Sequence, residues 1–402
     1  FQNVIQALDN SSPILDRVGG VFYNLTSAET NDELTALSIK LAPLMSEHSD
    51  NIQLNSQLFQ KVKTVYLQKD SIQLTREQRR LLENTYKDFV RSGANLNAEQ
   101  QARLREINKQ LSTLGLEFDN HILNENNEFQ LLVDQESELS GLPEWFKQSA
   151  AAEAQAAGQE GKWLFTLHNA SRLPLLQYAD NRDLRKQIYK AYIQRGNNND
   201  KNDNKKIIRD IVNLRLEKAK LLGFDCYSNF VLDNTMAKNS ETVMDFLHNL
   251  WQYALPKAKA EAQELQELMD KEGKGEKLEA WDWWYYTEKL RKAKYDLDEE
   301  ELKPYFKLEN VREGAFAVAN KLYGITLTPL HNIPVYHPDV EVFEVKDADG
   351  SHLGIFYVDY FPRAGKSGGA WMSNYREQQG DIRPLVCNVA SFTKPVGDTP
   401  SL

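Results

Sequence analysis

A chain of 402 residues exceeds what one small core can organise, so two or three packed regions are expected. The composition, 41% hydrophobic and 26% charged with a formal net charge of −10, is that of a globular protein and argues against a nucleic-acid partner, which needs a concentrated basic face. No run of 18 apolar residues occurs, so no membrane partner is expected, and two cysteines (Cys226 and Cys387) form neither a disulfide framework nor a metal-thiolate spacing. That cysteine usage suits a reducing compartment, and a cytoplasmic location is the expectation.

Helical periodicity dominates the first 325 residues. Apolar stripes run through residues 34–45, 54–66 and 79–90. The clearest stripe follows Asn97 and Gln100, a pair spaced as a capping box, with Leu104, Ile107, Leu111, Leu114 and Phe118 on one face. Further stripes cover residues 184–193, 207–222 and 243–269. Pro256 lies inside the last and predicts a kink or restart there, and Gly273 and Gly275 predict its end. Residues 150–161 and 196–204 are small or polar and read as exposed loops. After Gly324 the texture becomes β-branched and aromatic, predicting strands over 326–330, 340–345, 353–360 and 385–392. Asp347-Ala348-Asp349-Gly350 marks a hairpin between the second and third, and 368–384 reads as a glycine-rich turn and a polar loop. The fold class expected is mainly α, with a small, largely antiparallel sheet confined to the region after Gly324. Boundaries are expected near 135 and 324, giving regions 1–135, 136–324 and 325–402.

Most candidate chemistry dissolves on inspection. His331, His337 and Asp339 lie close in sequence but contain no helical i, i+4 histidine pair, so a polar loop is the simpler reading. Residues 200–204 imitate a calcium loop, yet Lys205 stands where the sharp turn needs Gly and Ile211 where the bidentate Glu belongs. Gly365-Lys366-Ser367 lacks the preceding glycine of a phosphate loop, Tyr360 being there, and reads as a hairpin turn between strands. Trp281-Asp282-Trp283-Trp284-Tyr285-Tyr286 can line a cleft or lock helical layers together, and Leu290 continuing the apolar pattern favours packing. No His-Glu-x-x-His occurs, and no catalytic or metal-binding residue is assigned.

Three long stretches carry more than physics: "WDWWYYTEKLRKAKYDLDEEELKPYF", "GIFYVDYFPRAGKSGGAW" and "CNVASFTKPVGDTPSL". With "VFYNLTSAETNDEL" and "LRLEKAKLLGF" earlier in the chain, they resemble the thimet oligopeptidase family of zinc metallopeptidases, in particular its bacterial peptidyl-dipeptidase (dipeptidyl carboxypeptidase) branch. The resemblance implies a helical ellipsoid of the zincin type, split by a channel that admits short unstructured peptides as partners, and a monomer. It also implies one zinc ion on a His-Glu-x-x-His helix following a Thr399-Pro400-Ser401-Leu402-like turn. The chain therefore reads as an N-terminal portion of a zinc-dependent peptidase that releases C-terminal dipeptides, inactive alone and holding no zinc itself. An endo-acting oligopeptidase and a non-catalytic helical peptide-binding scaffold are the alternatives. In this type of site an edge strand pairs with the substrate backbone. The expected substrate-binding residues are Cys387, Asn388, Val389, Ala390 and Ser391, with Gly368 and Gly369 letting the preceding turn approach.

Overall fold

The computed structural model describes residues 1–402 apart from 274, 296–298, 303–304, 396–402 and the side chains of 299–300. The turn expected at Thr399-Pro400-Ser401 lies outside the described residues. The fold is mainly helical, with two small sheets. The chain divides into two compact units: one of residues 1–16, 32–121 and 199–252, the other of 17–31, 122–198 and 253–402.

The larger helices are α1 (Pro13–Ala28), α2 (Asp32–Gln53), α3 (Ser56–Leu67), α4 (Arg76–Arg91), α5 (Ala98–Glu128), α6 (Glu144–Ala156), α7 (Asn169–Tyr178), α8 (Arg182–Ile193), α9 (Lys205–Leu221), α10 (Tyr227–Leu232), α11 (Ser240–Lys271), α12 (Trp283–Tyr295) and α13 (Leu308–Tyr323). Their starts follow from local chemistry. At α5 the Gln100 N–H donates to Asn97 Oδ1 at 2.9 Å and the Asn97 N–H donates to Gln100 Oε1 at 3.2 Å, the reciprocal pair the spacing predicted. Thr75 and Gln78 do the same for α4. The first unit centres on Phe59, Val62, Leu82 and Phe89 of α3 and α4, packed with Ile5.

Two helical expectations need correction. α11 runs unbroken through Pro256, without the restart its missing N–H suggested, and stops before Gly273 at φ +73°. Residues 150–156, expected as loop, belong to α6, where Ala150 is buried in the second unit's core and Ala154 is also buried; small side chains here permit close packing. The aromatic run at 281–286 packs as favoured. Tyr285 and Tyr286 are buried with Leu265 and Met269, and buried Asp282 accepts from Arg182 and Arg185 at 2.7 and 2.8 Å.

The sheet is not confined to the region after Gly324. β1 (Leu131–Val133) and β2 (Trp163–Phe165) form an antiparallel pair over the core of the second unit, each too short to leave a periodic signal. The main sheet comprises β3 (Thr326–Pro329), β4 (Glu341–Lys346), β5 (His352–Asp359), β6 (Trp371–Arg376) and β7 (Leu385–Val389), in the order β3-β4-β5-β7-β6. β4 and β5 pair antiparallel around the expected turn, with the Gly350 N–H donating to Asp347 at 3.0 Å and Gly350 at φ +83°. β5 and β7 pair parallel, and the other pairs are antiparallel. β6 is a strand where a polar loop was expected.

Both faces of this sheet are covered from within the second unit. Phe343, Val358 and Ala390 on one face pack with Leu308 and Phe316 of α13. Tyr375, Cys387 and Val389 on the other pack with Ala28 at the end of α1.

Candidate functional site

β5 and β7 run parallel, so both release their chains at the same end of the sheet, and the segments following them meet there. The ladder continues a short way: the Ala390 N–H donates to Asp359 O and the Phe392 N–H to Tyr360 O, both at 2.8 Å. Residues 361–370 then cross past β7 to reach β6. They do not form the hairpin turn expected at Gly365-Lys366-Ser367, because β7 is inserted between β5 and β6.

This crossing segment is anchored by a buried carboxylate. Asp359 accepts from Tyr336 Oη at 2.7 Å, from both terminal nitrogens of Arg363 at 2.9 and 2.7 Å, and from Lys366 Nζ at 2.9 Å. Lys366 also donates to the carbonyls of Asp359 and Phe361 at 3.0 and 2.8 Å. Burial pushes the Asp359 carboxyl up, but the hydrogen bonds from Arg363, Lys366 and Tyr336 outweigh it and hold the group below the usual carboxylate range. Burial pushes the Lys366 ammonium down, against the pull of Asp359. The resemblance of Gly365-Lys366-Ser367 to a phosphate loop ends here, since the lysine is buried and engaged.

The same segment closes the end of α1. The last carbonyls of a helix lack intrahelical partners. Here the Ser367 N–H donates to Ser27 O at 2.8 Å and Arg363 Nη2 to Ala28 O at 2.5 Å, while Arg363 also meets the Glu29 carboxylate. A guanidinium at a helix C-terminus complements the negative end of the macrodipole. The Thr30 N–H donates to Gly365 O at 2.7 Å, and a Cβ on Gly365 would lie 2.4 Å from Thr30 O, so only glycine fits that approach. On the α1 face of the sheet, Asn24 donates to Tyr375 Oη at 2.6 Å and accepts from Ser373 Oγ at 2.9 Å.

The expected substrate-binding strand is not an edge. β7 has β5 on one side and β6 on the other, so its backbone groups are committed to its neighbours and the strand-addition reading is withdrawn for Cys387, Asn388 and Val389, while Ala390 and Ser391 lie just beyond the strand. Cys387 and Val389 are buried on the α1 face and Ala390 on the α13 face. Ser391 Oγ donates to Gly369 O at 3.1 Å. The strands at the sheet's two edges are β3 and β6, and on β6 Met372 and Asn374 are exposed. Gly368 and Gly369 lead directly into it, and a Cβ on either would meet nothing within 4 Å. Sequence reasoning missed β6, although Trp371, Ser373 and Tyr375 alternate with outward residues in the pattern of a half-buried strand.

Beside the crossing segment lies a cavity of about 680 Å³, lined by Asn127, Phe129, Phe146, His168, Arg363 and Lys394 among others. The volume lies within the range of small-molecule and peptide pockets. Asn127 Nδ2 reaches across to Ala364 O at 2.9 Å. Burial depresses the His168 pKa, favouring neutral imidazole.

Metal ligation finds no constellation here. Among the described residues no group of three or more His, Cys, Asp or Glu side chains is arranged to hold an ion. His337 Nδ1 instead accepts from the Asp339 N–H at 3.2 Å, and Asp339 pairs with Lys394 at 2.7 Å. In the calcium-like loop, Lys205 Nζ bonds Asp203 and Asn199 at 2.6 and 2.8 Å. Among the described residues none is arranged to fit a zinc site.

Comparison with known proteins supplies what geometry alone does not. Over 405 residues the chain is 38% identical to the dipeptidyl carboxypeptidase of Escherichia coli (strain K12), covering all of this chain and 60% of the relative. It is 34% identical over 411 residues to oligopeptidase A of Salmonella typhimurium (strain LT2), with the same coverage. To saccharolysin of Saccharomyces cerevisiae it is 27% identical over 412 residues, covering 97% of this chain and 56% of the relative. The chain thus spans about 60% of the length of the first two relatives. Residues 175–402, more than half of the chain, match the family described as Peptidase family M3, and the protein belongs to that family.

Proposed function

We propose that this chain is a portion of a zinc-dependent peptidase that acts on short peptides and releases C-terminal dipeptides. The observation that carries the reading is the 38% identity, across the entire chain, to a dipeptidyl carboxypeptidase. On this reading the metal ligands and the general base belong to the part of the protein that the relatives have outside the aligned region. The described residues supply the surface that receives substrate.

The edge of β6, entered through Gly368 and Gly369, is the best-supported place for a peptide backbone on this chain. An edge strand offers a row of main-chain groups, and pairing with them holds a peptide without reading its side chains. The buried Asp359 cluster fixes the crossing segment that delivers the chain to that edge. Asn388 remains a candidate only through its side chain, since β7 has no free edge, and Ser391, two residues beyond β7, remains a candidate.

The product of the complete reading frame, incubated with an unstructured peptide carrying a free C-terminus and with its amidated counterpart, tests this directly. Stepwise dipeptide release from the free form alone, abolished by a chelator, is the expected result. Internal cleavage of both forms would replace the exo-acting reading with an endo-acting oligopeptidase. Binding without cleavage would return the protein to the class of helical peptide-binding scaffolds.

A further inference from the structure

The N-terminal part of α11 has the sequence of a helix made to be buried along one side, and that side faces solvent. Met244, Phe246, Leu247, Leu250, Trp251 and Tyr253 are between 46% and 73% exposed. At about 100° per residue they occupy an arc of roughly 180°, while Asp245, His248, Asn249 and Gln252 occupy the opposite side. A helix that faces a core shows an apolar stripe of about 100° or more. The surface exposed is on the order of 600 Å², taking large side chains of roughly 200 Å² about half exposed, which is the upper end of what a monomer leaves bare. The C-terminal part of the same helix shows what such a pattern does when it has a partner: Leu265 and Met269 are buried against Tyr285 and Tyr286.

We propose that this face of α11 is the docking surface for the remainder of the same polypeptide, the part corresponding to what the M3 relatives have beyond the 60% that this chain covers. The proposal rests on the reading that the chain is one portion of such a protein. Length is what selects this occupant over others: relatives matched along all of this chain are substantially longer, so unplaced polypeptide of the same protein is available to cover it. A helix has no free backbone edge, so the occupant is held by side-chain packing. It therefore presents an apolar face of its own, closely fitted around Phe246 and Trp251.

Hydroxyl-radical oxidation read by mass spectrometry, on chain 1–402 and on the product of the complete reading frame, tests the assignment. Met244 and Trp251 should be modified at least tenfold more slowly in the longer protein, approaching the rate of buried Met269. Equal rates in the two proteins would overturn the proposal. Protection that disappears as a dimer of the longer protein is diluted to monomer would also overturn it, assigning the face to a second copy. Should chain 1–402 fail to fold, Phe246→Asp in the longer protein provides an independent reading: loss of most soluble material supports the proposal, and unchanged yield and melting temperature refute it. Protection of α11 in a protein that cleaves no peptide would uphold the docking surface while sinking the peptidase reading, so the two fail separately.

Discussion

Replacing Asp359 by Asn removes the one carboxylate that three buried or half-buried donors share while leaving the shape of the side chain intact. Asp359 and Lys366 are both fully shielded from solvent, so Lys366 cannot recover its hydration by rotating outward. Breaking a buried ion pair from one side costs about 3–5 kcal/mol. A second route gives the same scale. A lysine compelled to shed its proton at pH 7 forfeits about 1.36 kcal/mol for each pH unit below 10.4, or roughly 4.6 kcal/mol, which caps the loss. Urea unfolding followed by tryptophan fluorescence measures it, Trp371 lying two strands away in the same sheet, across Val389 of β7. The double change Asp359→Asn with Lys366→Met should recover part of the loss, because the stranded ammonium is gone. The sign of the pH dependence follows from the depressed carboxyl pKa. Its contribution is fully present above the unfolded value of about 4 and is lost as pH falls through the lower folded-state pKa. The gap between parent and Asp359→Asn should therefore narrow below about pH 4. A loss under about 1 kcal/mol at pH 7, or a gap that widens in acid, would refute the reasoning.

Gly365→Ala places a methyl 2.4 Å from the Thr30 carbonyl oxygen and should cost about 1–3 kcal/mol or more, whereas Gly368→Ala meets open space and should stay within about 0.5 kcal/mol in the same denaturation assay. Asp282→Asn strands buried Arg185 and should lower stability by about 3–5 kcal/mol; Arg185→Met in the same background should restore part of it. Chain 1–402, dialysed and analysed for metal by mass spectrometry, is expected to contain no stoichiometric zinc. Stoichiometric zinc accompanied by chelator-sensitive peptide hydrolysis would overturn that expectation.

The helical body was legible because its signals are local. The reciprocal bonds of Asn97 and Gln100 lie three residues apart, and Leu104 and Ile107 mark the buried face of α5 within one turn. The Asp347–Gly350 turn was legible for the same reason, since a left-handed glycine closes it without help from distant residues. What failed was composition read as conformation. Ala150, Ala151 and Ala152 looked like loop because they are small, yet a small residue is also a strong helix former that lets neighbours approach. Ser373 and Asn374 looked like loop because they are polar, but a strand at the rim of a sheet needs only one apolar face.

The misplaced edge has a deeper cause, because edge status is a property of strand order and no single strand encodes it. Chain order alone would set β6 beside β5 as a hairpin and leave β7 outermost. The structure inserts β7 between them, parallel to β5 and antiparallel to β6. A tight turn cannot join strands separated by another strand, so the connection after β5 has to be a longer crossing. That crossing consumes residues 361–370, and it needs anchors of its own because it leaves the ladder's hydrogen bonds behind. The anchors are what the sequence does display: an acidic residue ending β5, an arginine four residues on, a lysine seven on, and a glycine between the two cations. Asp359, Arg363, Gly365 and Lys366 thus mark a pinned crossover rather than a hairpin. A pinned crossover over β7 is the arrangement that delivers β6 to the outside of the sheet, the position on which the proposed pairing with an extended peptide depends.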